Sequence, residues 1–306
     1  MYHYVRNKER SRFPGINART VEEFKAQLDY LEAEYMIIGY HRLRRALRGE
    51  VKLPKSAAIL TFDDGLRDHF EVVLPILRQR GLPACFFPPA TAIQEKKLLD
   101  VHKLHAIIAV CEDPSQLADN VLELLERFRQ QFNLDIPQKY YQRLAKEGRW
   151  DPPEIIFAKR LLQRELPEKV RTRLIAELFD AYVDIDEQTL SKEWYMTPEQ
   201  LQILLDEGMY IGSHGANHYW LDTLDRDQIV VEIRSSLSFL SDIGATTDDW
   251  MIAYPYGAHD AKTLKVVQEF GGIAGVTTES RVADFDVDGP LTLPRLDTND
   301  VPRSGE

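Results

Sequence analysis

Leu60-Thr61-Phe62-Asp63-Asp64-Gly65 closes an apolar run with two adjacent carboxylates and a glycine. Residues 57–62 show no polar alternation, the pattern of a strand covered on both faces of a parallel sheet. Gly65 permits the sharp turn that ends such a strand. Open α/β sheets and α/β barrels gather their ligands at the carboxyl ends of their strands. A carboxylate pair there is a candidate site, although Asp-Asp-Gly taken alone is equally an ordinary turn or helix cap.

Two further segments repeat the form. In Met209-Tyr-Ile-Gly-Ser-His214-Gly-Ala-Asn-His218 a short apolar stretch runs into a histidine pair. Histidines four apart meet on one helical turn or a tight loop, and neutral imidazole is the commonest nitrogen ligand of divalent transition metals. A lone His-x-x-x-His is more often polar surface; this one follows a buried-strand pattern, as Asp63 and Asp64 do. Two histidines with one carboxylate make a catalytic zinc set that leaves room for water. The third segment, Trp250-Met-Ile-Ala-Tyr254-Pro255-Tyr256-Gly257, is another apolar strand ending in turn residues.

Together these segments resemble the polysaccharide deacetylase family, carbohydrate esterases related to nodulation-factor deacetylases. Its first motif, Thr-Phe-Asp-Asp-Gly, is matched completely by residues 61–65. Its second, His-(Ser/Thr)-x-x-His, is matched at His214 and His218, with Gly215 in place of the hydroxyl. Its third, Arg-x-Pro-(Tyr/Phe), is matched at Pro255 and Tyr256, with Ala253 where the arginine belongs. The closing Leu-x-His is absent, and the corresponding region reads Leu291-Thr-Leu-Pro-Arg295-Leu-Asp297. The opening Tyr2-His3-Tyr4-Val5 is similar to the Tyr-His that starts many members.

The resemblance implies a distorted (β/α)7 barrel and a hydrolase that removes an acetyl group from an acetamido sugar. Asp64, His214 and His218 would hold Zn²⁺ or another divalent transition metal, and Asp63 would act as general base. The backbone N–H of Tyr256, following Pro255, would help bind the oxyanion on the substrate side. With the terminal histidine missing, His3 and His259 are the open candidates for protonating the leaving amine. In the family the missing arginine pairs with the catalytic aspartate. Arg295 ends another expected strand, 291–294, which a barrel would bring to the face of Asp63. Arg295 is therefore expected to replace the lost partner.

The rest of the chain fits an α/β enzyme. Capping boxes start helices at Thr20 with Glu23 and at Asp225 with Gln228, Thr197-Pro-Glu-Gln200 opens another, and strands are expected at 36–39, 84–87, 251–254 and 273–277. Residues 96–195 break the alternation: apolar stripes such as Leu117, Val121, Leu125 and Phe128 predict helices only. The expected organisation is a barrel from 1–95 and 196–306 with a helical insertion at 96–195. The insertion could be a lid, a substrate platform or a surface for homo-oligomer formation. His102 and His105 within it, and the basic cluster at 41–48, read as packing and solvated surface.

A formal charge of −11 disfavours nucleic acid and polyanionic substrates. No run approaches the ~20 apolar residues of a membrane span, and the opening residues lack a secretory pattern. The expectation is a cytoplasmic protein, not integral to the membrane, working on an intermediate of cell-surface polysaccharide biosynthesis. Cys85, inside the apolar run 84–87, reads as a buried inert thiol. Two rival readings stand beside the deacetylase: an amide or cyclic-amide hydrolase on a non-sugar substrate, and a non-catalytic sugar-binding relative.

Overall fold

All seven strands pair parallel in the computed structural model, which describes residues 1–148 and 151–302. β1 (Met36–Ile37) lies on β2 (Ala57–Ala58). β3 (Leu60–Asp63) pairs in register with β4 (Ala84–Phe87), and β4 with β5 (Tyr210–Ile211). β6 (Trp250–Ala253) pairs with β7 (Gly272–Val276). Single parallel bridges continue the order, Tyr2 to Phe62, Ser213 to Ile252 and Val276 to Leu293.

Among the described residues there is no closed sheet, so the expected seven-stranded barrel is present only as small parallel sheets linked by bridges. The predicted strand at 291–294 contributes the single bridge at Leu293: Thr292 N–H is spent on Gly289 O in a turn, and Pro294, pointing to the opposite edge, has no N–H to offer there. Side chains span the seam instead: Arg295 Nη1 donates to Thr61 Oγ1 at 3.3 Å.

β3, β4 and β6 are buried along their whole length, β4 and β6 through unbroken apolar sequences and β3 with Thr61 and Asp63 bonded to Arg295. Their period-2 alternation divides the core. Cys85, Phe87, Met251, Ala253, Ala274 and Val276 pack together with Tyr40 and Leu43. Trp250, Ile252 and Tyr254 face the other way, onto Ile229 and Ile233 of helix Arg226–Asp242 and Val266 of helix Ala261–Glu269. Each such large apolar side chain contributes about 1.5–3 kcal/mol on burial.

The helix starts follow the sequence signals. Thr20, Thr197 and Asp225 each form a complete capping box. A π-helical turn, His69–Val73, precedes helix Leu74–Arg80. Pro75 cannot donate, so the hydrogen-bond ladder resets there.

The chain forms two compact units. The first comprises Met1–Asn7, Ala18–Lys97 and Ser191–Glu306, and contains every strand. The second comprises Lys8–Asn17 and Leu98–Leu190. It is built of helices, with Asp100–Val110 packed on Glu168–Tyr182 and Pro114–Phe132 packed on Pro153–Arg160. Leu117, Val121, Leu125 and Phe128 line its core. No helix among the described residues is long and apolar enough to cross a membrane.

Candidate active site

β3 delivers the two carboxylates. Asp64 N–H still donates to Phe87 O at 3.0 Å, yet Asp64 and Gly65 both have left-handed backbone, φ 74° and 66°. Any side chain at Gly65 would be strained: a Cβ there would lie 2.8 Å from Pro88 Cβ. Among the described residues six non-glycine positions have positive φ, and three of them are Asp64, His218 and Tyr256. Such conformations cost of order 1–3 kcal/mol each and persist where surrounding structure enforces them. Here they collect at the three strand ends singled out by the sequence.

The left-handed turn brings Asp64 to both histidines. Its Oδ1 lies 3.3 Å from His214 Nε2 and 3.4 Å from His218 Nε2. His214 Nδ1 is 2.6 Å from Ala253 O, so the Nδ1–H is committed to that carbonyl, and in the neutral ring the Nε2 lone pair faces Asp64. One donor atom from each of the three residues falls within 4.8 Å of the others, and all three side chains are buried. Two ligands ~2.05 Å from one tetrahedral ion stand ~3.3 Å apart. The spacing and the donor types therefore fit a divalent transition metal. The local field agrees: burial lowers the pKa of His214, but the Asp64 bond and the charges of Asp63 and Asp64 outweigh it and raise the value. The triad favours positive charge.

Asp63 is held separately. Arg295 grips it with both ends of the guanidinium, Nη1 to Oδ1 at 2.8 Å and Nη2 to Oδ2 at 2.7 Å. Arg295 Nε donates to Thr277 O at 2.9 Å, which fixes the plane of the fork. Both side chains are buried. Burial pushes the Asp63 carboxyl up, and the charge of Arg295, then that of His214, overcomes this to bring its pKa down to about 2. Asp63 is thus ionised and fixed, with lone pairs beyond those used by Arg295.

The remaining candidates lie around this centre. His3 is half-exposed, with Nε2 4.0 Å from Asp64 Oδ2, and its backbone carbonyl meets Nε2 of the buried His69 at 2.8 Å. His259 is engaged by Gly257 O at 2.9 Å and packs on the Tyr254 ring. Tyr256 packs edge-on against His218 at 4.7 Å and stacks flat on Trp220 at 4.3 Å. His102 is buried on helix Asp100–Val110 beside His105. Arg44 and Arg48 of the basic cluster pair with Asp249. Two contributors escape the sequence reading: Trp220, and Glu232, which accepts the backbone N–H groups of Ala216 and Asn217. Glu232 carried a signal, because it interrupts the apolar stripe of Ile229, Ile233 and Leu240.

Comparison with known proteins agrees with this geometry. The Poly-beta-1,6-N-acetyl-D-glucosamine N-deacetylase of Escherichia coli (strain K12) is 35% identical over 77 residues, 25% of this chain and only 11% of that protein's length. The solved structure of Streptococcus pyogenes deacetylase PplD in complex with acetate superposes with TM-score 0.57 at 19% identity, covering 97% of this chain and 89% of that one. IcaB from Ammonifex degensii gives 0.55 at 17% identity, covering 96% and 88%. At these identities the two structures speak for a shared fold. Residues 50–148 and 175–273, more than half of the sequence, match the family model for polysaccharide deacetylase, and the chain belongs to that family.

Proposed function

We propose that this protein is a metal-dependent hydrolase that removes the N-acetyl group from an acetamido sugar, releasing acetate and the free amine. One observation carries the reading: a two-imidazole, one-carboxylate ligand set stands beside a second carboxylate kept ionised by a bidentate arginine. A purely structural ion pair has no reason to adjoin such a set.

Asp64, His214 and His218 would hold the ion, Zn²⁺ or a similar divalent metal. When bound, the ion supplies what a carboxylate with a pKa of about 2 lacks as a base, by acidifying the attacking water and polarising the acetyl oxygen. Asp63 accepts a proton from that water as its oxygen adds to the acetyl carbon. Arg295 holds both Asp63 oxygens in place through the step. The Tyr256 N–H donates to the oxygen that becomes negative. As the C–N bond breaks, the nitrogen takes a proton, and His3 is the donor we assign because its imidazole edges the site beside Asp64. Pro255 and the Tyr256 ring line the substrate side.

Acetate release from a panel of nucleotide-linked, lipid-linked and free oligomeric acetamido sugars, with and without chelator, tests the reading. Chelator-sensitive release from an acetamido sugar is the expected result. Hydrolysis of small amides with none from any acetamido sugar would replace the sugar with another C–N substrate, and no turnover at all would leave a binding protein.

A further inference from the structure

Gly215 stands where the second family motif has a hydroxyl, and the loop it belongs to carries both histidine ligands. We infer that Glu232, on helix Arg226–Asp242, is the positioning residue that replaces this hydroxyl and holds the loop 214–218 in its metal-binding shape. The inference rests on the ligand set proposed above.

The loop is held from two sides. Two of its carbonyls are taken by the start of helix Ala90–Gln94: Gly215 O accepts from Ala90 N at 3.3 Å, and Ala216 O accepts from Thr91 N at 3.0 Å and from Thr91 Oγ1 at 2.8 Å. Two successive N–H groups converge on one carboxylate. Glu232 Oε2 accepts from Ala216 N at 3.0 Å and Asn217 N at 2.9 Å, and Oε1 accepts from the Asn217 side-chain amide. Glu232 is only 3% exposed. One helical turn on, Ser236 Oγ meets Ser213 Oγ at 2.8 Å, and Ser213 Oγ accepts Gly215 N–H at 3.2 Å. The helix thus fastens the loop at both ends of its first half.

The glycine and the glutamate belong together. Gly215 has φ 69°, and a Cβ at this position would come within 3.4 Å of Glu232 Oε2. A serine or threonine here would have to adopt left-handed backbone, with its Cβ in contact with the carboxylate. With glycine the chain turns so that the next two N–H groups point at Glu232, and the following ligand, His218, sits at φ 58°. Two backbone donors and one amide on a buried carboxylate are charge-assisted bonds, about twice as strong as neutral ones. Groups that orient metal ligands in this way typically change metal affinity 10–100-fold when replaced.

The test is Zn²⁺ affinity of metal-stripped protein, measured by competition with a chromophoric chelator, for wild type, Glu232→Gln, Glu232→Ala and His214→Ala, with the melting temperature of each metal-free protein. Glutamine keeps the size of Glu232 but loses the charge, so about a 10-fold weaker Kd is expected. Alanine should approach 100-fold. Glutamine also puts an NH2 group where an oxygen accepted N–H donors, so the metal-free melting temperature should fall somewhat, and Kd is measured at a temperature where circular dichroism shows both metal-free proteins folded, which separates ligand positioning from general stability. If Glu232→Ala does not fold, the glutamine variant decides alone. A Zn²⁺ Kd within about 2-fold of wild type in Glu232→Gln, with His214→Ala abolishing binding, overturns the role of Glu232. Zn²⁺ binding that survives His214→Ala overturns the ligand set, and the inference with it.

Discussion

Replacing Arg295 with alanine removes the guanidinium that faces both oxygens of Asp63 at 2.8 and 2.7 Å. Burial, which already pushes the Asp63 carboxyl up, is then opposed chiefly by His214. Returning Asp63 from about 2 merely to its ordinary 3.8 corresponds to roughly 2–3 kcal/mol, and breaking a buried pair by removing one partner costs ~3–5 kcal/mol. The sign follows from the shift. In the wild type the depressed pKa stabilises the fold above pH 3.8, and this is lost as pH falls through about 2. In Arg295→Ala the folded-state pKa lies above the unfolded one, so the penalty is full at neutral pH and shrinks on acidification. Denaturant unfolding of both proteins between pH 7 and pH 4 should show a stability gap of ~3 kcal/mol or more that narrows towards acid. The acid limb of the kcat/KM profile should also move up in the variant. Arg295→Lys, which keeps charge but not the fork, should recover only part of both effects. An unmoved acid limb with normal turnover, together with a stability gap that does not change with pH, would refute the assignment.

Asp63→Asn should retain metal while kcat falls at least ~100-fold; near-normal turnover would make Asp63 structural. His214→Ala and His218→Ala should each lose most of the bound divalent ion by elemental analysis, since two protein ligands remain of the three; full occupancy in both would exclude this ligand set. Gly65→Ala should lower stability by ~1–2 kcal/mol, because alanine at left-handed φ is disfavoured and its Cβ meets Pro88; an unchanged unfolding midpoint would show that the turn can relax.

The parts of the site legible in the sequence are those where local chemistry and long-range packing coincide. An apolar run that stops on Asp63 and Asp64 reports burial and chemistry in one short stretch, and Thr197 with Gln200 reports a helix start through bonds confined to four residues. Sheet closure is not local. Whether residues 291–294 complete a ladder depends on where the preceding turn releases the chain, and here Thr292 N–H is still spent on Gly289 O, leaving one bridge at Leu293. The membership of Lys8–Asn17 in the helical unit has no periodic signal, because that stretch holds only a three-residue 3₁₀ turn, Lys8–Arg10. Glu232 was visible as a carboxylate on an apolar helix face, but its partners are backbone N–H groups, which no side-chain motif records.

Two departures from the family motifs, Ala253 and Gly215, have a common physical basis. Parallel strands present their carboxyl ends to one side, so a group required there can arrive from any segment that ends nearby, whatever its distance in sequence. Arg295 reaches Asp63 from 232 positions away. The arginine cannot simply be added at both places, because Ala253 is fully buried in a cluster with Phe87, Met251, Val276 and Leu293. A guanidinium on that residue would either overpack the cluster, at ~1–3 kcal/mol, or displace the Arg295 fork from Asp63. The strand end at Ala253 still serves the site through its backbone, since its carbonyl orients His214. Moving the positive charge to residue 295 leaves β6 free to fill the core with a small side chain while the carboxylate keeps its counter-ion, and the arrangement requires Thr61 and Thr277 to flank the new position, as they do.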